Sequence, residues 1–361
     1  MLDGVKEVRA FSSIHAVFPP STPWARAMGI RADVAEQEAR ILKEKAAAFQ
    51  KAGFLLTYSC VPYLSSNMLR RGTIYSWPGS SGIIIGNSLF GAMANRDAGP
   101  AALSSAVTGL TPEMLLNIPE NRYAELVVKI EGLVAENLSA ADYGALGYYI
   151  GPIAESRKVA VVGVPAGTPF EKMKYFLSPM PVSGAVSLCH IVGISPEAPT
   201  LKAALGGRKA GETITVGKKE LEEGYSRLST AKNKKVDAVI FGCPHCTISE
   251  IKKIAQLLGG KKIKKGVRFW VTTSESIYPL AKRMGFVEAI EKAGGMVVTD
   301  MCIMSFPFAL MDEPSRVVAT DSARAAHYQS RGGLAGGAGA GILYGSTEQC
   351  VAAAIKGNWG G

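Results

Sequence analysis

No apolar run in the sequence approaches the roughly 20 residues needed to cross a bilayer, so no membrane partner is expected. The start, Met1-Leu2-Asp3-Gly4, has neither the basic nor the apolar stretch of a secretion signal, and a cytoplasmic location is the default expectation. Cysteine is scarce. Six in 361 residues, widely scattered, argue against a disulfide framework and leave buried small hydrophobes, metal ligands or nucleophiles as their roles. No G-x-x-x-x-G-K-[ST] loop and no G-x-G-x-x-G opening a helix occur, so nucleotide use is not indicated. A G-x-S-x-G nucleophile elbow is also missing. The net charge is +10, but the surplus is local: Lys232, Lys234 and Lys235 in one run, and Lys261, Lys262, Lys264 and Lys265 in another. Without interleaved aromatics or a recognisable module, these runs read as solvated loop faces, and no nucleic-acid partner is expected. No internal repeat is visible.

What is present is ordinary globular composition, 47% hydrophobic and 19% charged, in a chain long enough for two α/β domains. A boundary is expected near residue 175, where Pro179 and Pro181 flank a loop, giving lobes 1–175 and 176–361. In the first half, strands are expected over 5–14, 54–58, 83–86 and 159–164, with helices over 33–52 and 121–137. The second half alternates more cleanly. Strands over 236–241, 267–272, 296–298, 316–320 and 342–344 are interleaved with helices over 248–258 and 276–293 and one carrying Cys350. Alternation at this spacing predicts largely parallel sheets with helices on both faces. The polar residues then gather beyond the carboxyl ends of the strands, where α/β proteins bind ligands.

The chain is organised around the stretch from Thr57 to Gly99. Cys60 follows the apolar Phe54-Leu55-Leu56, and Pro62 forbids a helix from continuing through it. Downstream come Gly79-Ser80-Ser81-Gly82 and then Asn87-Ser88, neutral side chains with donors and acceptors suited to carboxylate, phosphate or hydroxyl groups. Arg70, Arg71 and Arg96 add positive charge for an acidic ligand. His245, after Pro244 in Cys243-Pro244-His245-Cys246, sits where an imidazole can donate to a substrate oxygen. Cys243 and Cys246 have the spacing of a metal or redox pair, but no second pair exists to complete a zinc site. Cys189 reads as core.

Cys60-Val-Pro62-Tyr63-Leu64, Ser80-Ser81, Asn87-Ser88 and Gly91-Ala-Met-Ala-Asn95-Arg96 resemble the catalytic domain of the aconitase X family. So do Gly242-Cys243-Pro244-His245, Asp300-Met301-Cys302, Ser322-Ala-Arg-Ala-Ala-His327-Tyr328 and Glu348-Gln349-Cys350, in the same order to the C-terminus. The resemblance implies an aconitase-like α/β fold with two lobes around a cleft, and an iron-dependent hydro-lyase. It implies Cys60, Cys302 and Cys350 as ligands of an iron–sulfur cluster, [4Fe-4S] in the expected form. Ser80, Ser81, Asn87 and Ser88 would hold a small acidic substrate, with His245 as a candidate catalytic group. The base in related enzymes lies on a swivelling domain carried by a small subunit, so a heterodimer is expected. The string from His190 to Thr200 is similar to the subunits that dehydrate 5-phosphomevalonate, with cis-3-hydroxy-L-proline as the alternative substrate. Ser12-Ser13-Ile14-His15 departs in spacing from the family's amino-terminal pattern. That departure motivates a reading of another class, a shortened non-catalytic member acting in binding or assembly.

Overall fold

A computed structural model of the chain describes residues 5–17, 22–305, 315–334, 336 and 338–360. The fold is α/β, with two parallel sheets carried by two compact units. One unit combines Ser13–Ser66 with Ser226–Gly361 and the residues up to Lys6; the other combines Glu7–Ser12 with Asn67–Tyr225. The boundary expected near residue 175 falls instead inside the helix Phe170–Leu177 of the second unit. Its two prolines are helix punctuation: Pro179 caps the helix Met180–Gly184 and Pro181 sits in its first turn, where a missing N–H costs nothing.

In the unit that holds Asn67–Tyr225, Leu126–Ile130 (β1), Val159–Val162 (β2), Cys189–Ile191 (β3) and Glu212–Val216 (β4) form a parallel sheet in the order β3-β2-β1-β4. β1 lies where a helix over 121–137 is expected from the sequence. Its run of Leu126, Val127 and Val128 is buried between β2 and β4, and that apolar, β-branched content outweighs the flanking charges that suggested an amphipathic helix. The reverse correction applies to Ile83-Ile84-Ile85, expected as a strand. These residues lie in the helix Ser80–Leu89, of which Ser81 through Ser88 are buried. A short apolar run buried on all sides carries no period to separate helix from strand. Tyr75 packs over this helix and donates its hydroxyl to Ile83 O at 2.8 Å, and a side chain at Gly86 would collide with that hydroxyl.

The other end of the same helix is held by a buried ion pair. Arg122 is 2% exposed and donates through Nε and Nη2 to Glu197, while its Nη groups also reach Asn87 Oδ1 and O, Leu116 O and Ala92 O. A buried guanidinium is tolerable because its fork of donors is matched by one carboxylate and several carbonyls. His190 Nε2–H donates to Arg122 O at 2.8 Å, which ties β3 to the same hub.

In the unit that holds Ser226–Gly361, Ala238–Phe241 (β5), Arg268–Thr273 (β6), Met296–Thr299 (β7), Val317–Thr320 (β8) and Gly341–Tyr344 (β9) form a parallel sheet in the order β7-β6-β5-β8-β9. The helix Ile248–Leu258 starts on a capping box between Thr247 and Glu250, and Thr347–Lys356 on one between Ser346 and Gln349. The helix expected over 276–293 is two helices, Tyr278–Arg283 and Phe286–Ala293, parted by Gly285 at φ 75°. The strands expected over 5–14 and 54–58 reduce to the single parallel bridge Ser13–Leu55. The lysines of both basic runs are exposed. Among the described residues, no helix is long and apolar enough to cross a membrane.

Candidate active site

The strand order of the five-stranded sheet reverses between β5 and β8, and the carboxyl ends of those two strands open the position where such sheets bind ligands. β5 runs into Gly242-Cys243-Pro244-His245 and β8 into Asp321-Ser322. Gly242, at φ 97°, passes so close to the Thr272 backbone that no side chain fits. Ser322 joins the two strand ends. Its hydroxyl donates to Cys243 O and accepts from Ala325 N, capping the helix Ala323–Gln329.

Two further segments reach this corner. The loop holding Cys60 is fixed by Ser59 N donating to Ile14 O at 3.2 Å and by Ser59 Oγ accepting from Val61 N at 3.1 Å. The turn after β7 holds Asp300, at φ 66°, and Cys302. Residues Ile14 to Val17 lie between them: Ile14 N donates to Leu55 O, Val17 N to Asp300 O, and Cys302 N to Val17 O at 2.6 Å. His245 N–H then donates to Cys60 Sγ at 3.1 Å, and its ring Nε2–H to Met301 O at 2.8 Å.

Cys60 and Cys302 are thus brought together, close enough for the Cys60 sulfur to make Cys302 harder to ionise. Burial pushes the Cys302 thiol up, and the Cys60 sulfur pushes it further; the Ser305 hydroxyl and N–H and the Met304 N–H pull it back down. Donors aimed at a sulfur stabilise a thiolate, which is the form that binds metal. The donor set at this pair, sulfur ringed by N–H and O–H groups, fits an iron or iron–sulfur ligand pair.

Cys350 does not join them. It lies on the helix Thr347–Lys356, fully buried in an apolar cluster with Phe241, Ile251, Ile254 and Val351. Burial raises its thiol well above the ordinary value, and the nearby Asp321 and Glu348 charges add to the shift. Its Sγ faces Gly345 O at 3.9 Å. Cys350, the third ligand expected from the sequence, packs in this core cluster. Among the described residues, no group of three His, Cys, Asp or Glu side chains is placed to hold a metal ion.

His245 was expected to offer a donor to a substrate oxygen. Its Nε2–H is committed to Met301 O instead, and the ring is 1% exposed, so it locks the β5 and β7 turns together. Three other groups in this corner carried no assigned role in the sequence, His15 entering only for the odd spacing of its string. Burial, with the Glu275 charge adding to it, raises the Asp300 carboxyl to about 6 against the Glu275 N–H that it accepts. His15 donates Nδ1–H to Ala16 O at 3.0 Å, and burial lowers it to about 4, with the His245 and Arg324 charges adding. Arg324 stands in the first turn after Ser322, its Cζ 5.2 Å from the Tyr328 ring centre. Its only sequence signal was its place inside the Ser322–Tyr328 string.

Ser80, Ser81, Asn87 and Ser88 belong to the other unit. Asn87 is fully used by the fold: Nδ2 donates to Ala94 O and Ser187 O, while Oδ1 accepts from Ala94 N and Arg122. Ser88 Oγ accepts from Cys189 N. Both were expected to hold substrate, and in the structure their polar atoms bond to the fold, since the same donors and acceptors that suit an anion also suit a tight turn. Ser80 and Ser81 occupy the first turn of their helix, the former half-buried and the latter buried. Cys189 is buried core on β3, its thiol raised by desolvation, and Cys246 packs in the same cluster as Cys350.

Comparison with known proteins adds the family. Residues 7–120 match the aconitase X first domain, 124–226 the second domain and 236–356 the third domain. The chain is similar to the phosphomevalonate dehydratase large subunit of Methanothermobacter thermautotrophicus, 39% identical over 308 residues, covering 84% of this chain and 71% of that protein. It is similar to the cis-3-hydroxy-L-proline dehydratase of Hypocrea jecorina at 32% over 348 residues, 96% of this chain and 57% of that protein. The crystal structure of Thermococcus kodakaraensis aconitase X in its holo-form superposes with a TM-score of 0.82 at 26% identity, over 98% of this chain and 83% of that one. With all three of its domains matched in order along one chain, the protein belongs to the aconitase X family.

Proposed function

We propose that this chain is the large subunit of a hydro-lyase that dehydrates phosphomevalonate. The observation that carries the reading is the 39% identity, over most of the chain, to a protein of that name. The relatives named for phosphomevalonate are called large subunits, which supports a separate small subunit as partner.

Cys60 and Cys302 would hold the iron–sulfur group, with His245 N–H donating to the Cys60 sulfur and the Ser305 and Met304 groups donating to that of Cys302. When bound, that group supplies Lewis acidity to a departing hydroxyl, a poor leaving group from carbon. The chain's own residues do the positioning. His245 and Ser322 fix the β5 turn against Met301 and the β8 turn, so that the sulfurs stay in register. Asp300, a carboxyl held near neutrality, is suited to exchange a proton with a substrate or water at this corner. The base that takes the carbon-bound proton is assigned to the small subunit.

A second reading, dehydration of cis-3-hydroxy-L-proline, is favoured by the 96% coverage of this chain by its match to the fungal enzyme of that name. The deciding experiment is anaerobic co-purification with the small subunit, quantification of iron and sulfide, and a dehydration assay on both compounds. Turnover of phosphomevalonate alone supports the proposal, and turnover of the proline alone moves it to the second reading. A metal-loaded pair that dehydrates neither overturns the enzymatic reading in favour of a binding or assembly role.

A further inference from the structure

The unit that holds Asn67–Tyr225 contains a cavity of about 1030 Å³ that the mechanism above does not use. Lys158 and Leu188 line it one residue before β2 and β3 begin, so it opens at the amino ends of those strands. Parallel sheets place their reaction sites at the carboxyl ends, and this cavity lies at the other end of the sheet. Much of its wall comes from Asn95 to Asp97, from the helix Gly99–Thr108 and from the turn between Leu110 and Leu116.

The wall is apolar and open to water. Leu110, Met114 and Leu115 line the cavity and are 75%, 46% and 59% exposed, so three large apolar side chains left uncovered by the fold share one space. The backbone points the same way. Leu115, Ser156 and Ala185 lie at φ 49°, 67° and 62°, three of the six non-glycine residues with positive φ among those described, and all three line the cavity. Ala185 ends the helix Met180–Gly184, and Ser156 follows the end of the helix Ala140–Ala154, positions that glycine fills without cost. Keeping side chains there costs stability, and strain of this kind gathers at binding sites.

Charge in the cavity falls to one open group. Lys158 Nζ is paired with Glu125 at 2.8 Å, and the Asp97 carboxylate accepts from Ser76 Oγ at 2.5 Å. Arg96, one of the three arginines that the sequence offers to an acidic ligand, is exposed at the cavity and makes no hydrogen bond or ion pair among the described residues. Asn95 beside it donates to Met114 O and accepts from Leu116 N, which holds this stretch of backbone against the apolar wall.

We propose that this cavity is a second binding site, for a small amphiphilic acid whose aliphatic body rests on Leu110, Met114 and Leu115 and whose carboxylate or phosphate is held by Arg96. An apolar space with one unpaired guanidinium recognises such a molecule by both of its ends. The assignment does not depend on which compound the chain dehydrates.

The test is calorimetry on the full chain, alone and with its small subunit, with octanoate and octyl phosphate as probes. Octanol supplies the body without the charge, and acetate and inorganic phosphate supply the charge without the body. At least one of the two probes should bind about tenfold more tightly than any of these three, and the tighter one identifies the head group. Arg96→Gln should weaken that binding by at least about tenfold, the worth of a charge-assisted hydrogen bond, and leave octanol unchanged. Arg40→Gln, which removes an exposed arginine from the helix Ala32–Lys51, should change nothing. Ala101→Trp, at an exposed position of the helix Gly99–Thr108 that lines the cavity, should fill the space and abolish the binding of octanol as well. No binding of either probe, an equal effect of Arg40→Gln, or binding that survives both Arg96→Gln and Ala101→Trp overturns the proposal. Displacement of the probe by phosphomevalonate would make the cavity the substrate site, and loss of binding on adding the small subunit would make it a docking groove. Either result overturns a second small-molecule site.

Discussion

The backbone N–H of His245 donates to Cys60 Sγ at 3.1 Å, joining a loop near the amino terminus to the turn after β5. A hydrogen bond to sulfur is worth most when the sulfur is an anion, as a metal-bound cysteine sulfur is. Cys350 has the opposite surroundings, apolar side chains and two carboxylates.

Replacing the two cysteines should therefore separate metal loading from packing. Cys60→Ser should lose most of the bound iron and change the urea midpoint little in the metal-free chain. Cys350→Ala should keep its iron and lose about 1 kcal/mol of stability, the cost of removing a buried sulfur-sized group. Iron content and urea denaturation, measured on both, check this; loss of iron in Cys350→Ala would restore it as a ligand.

Arg122 and Glu197 offer a second test. Removing one partner of a buried pair leaves an unpaired charge, at a cost of about 3–5 kcal/mol, whereas an exposed pair is worth about 0–1 kcal/mol. Arg122→Met should fall in the first range, because Arg122 also loses its bonds to Leu116 O and Ala92 O. Arg157→Met, which breaks the more exposed pair with Glu212, should fall in the second. Denaturant midpoints compared between the two variants decide it.

Gly86 and Tyr75 are predicted to be coupled. Gly86→Ala drives a methyl group into the Tyr75 hydroxyl and should cost about 1–3 kcal/mol. Tyr75→Phe removes the nearest obstructing atom along with its hydrogen bond to Ile83 O, and leaves the ring carbon and Leu69 Cδ1 at 2.7 Å. The double variant should then be more stable than the sum of the single changes allows, with a coupling of at least about 0.5 kcal/mol in a double-mutant cycle. Simple additivity would mean that the helix shifts away from Tyr75.

His15 makes stability depend on acid. Its folded value, about 4, lies below the reference of about 6.5, so the unfolded chain binds the proton more readily between those limits. The stability that His15 contributes is complete above pH 6.5 and declines as pH falls to 4, by at most about 1.4 kcal/mol per pH unit. Asp300 acts the other way: its raised value, about 6, means that its burial costs stability above pH 6, a cost relieved as pH falls toward 4. His15→Gln should therefore flatten the acid loss, and Asp300→Asn should steepen it. Thermal melts from pH 4 to 7.5 read both slopes.

The second half of the fold was legible from residues because its strands are short, apolar and followed by polar turns, and the helix Ile248–Leu258 shows both a capping box and a clear apolar face. The first half hid two elements for opposite reasons. Ile83 to Ile85 are β-branched in a helix buried on all sides, and β1 sits between charged turns. At the site, the likeness of motifs pointed to Cys60, Cys302 and Cys350. It carried no information on the face of the last helix, where Cys350 packs with Val351, Ala353 and Ala354 on one core. Asp300, His15 and Arg324 gain their chemistry from neighbours distant in sequence, and no local pattern announces such neighbours.

The division of the chain also sets an order of assembly during synthesis. A ribosome that has finished Tyr225 has delivered every strand of the four-stranded sheet, which ends at Val216, and none of the five-stranded one, which begins at Ala238. Cys60 has by then been made, while His245 and Cys302 have not. Its segment must wait as an unpaired strip, bearing a thiol with no N–H partner, until the far end of the chain returns to it. Closing so long a loop costs entropy that only the finished sheet can offset. An iron–sulfur group held by Cys60 and Cys302, as proposed above, would load only after both turns have been made.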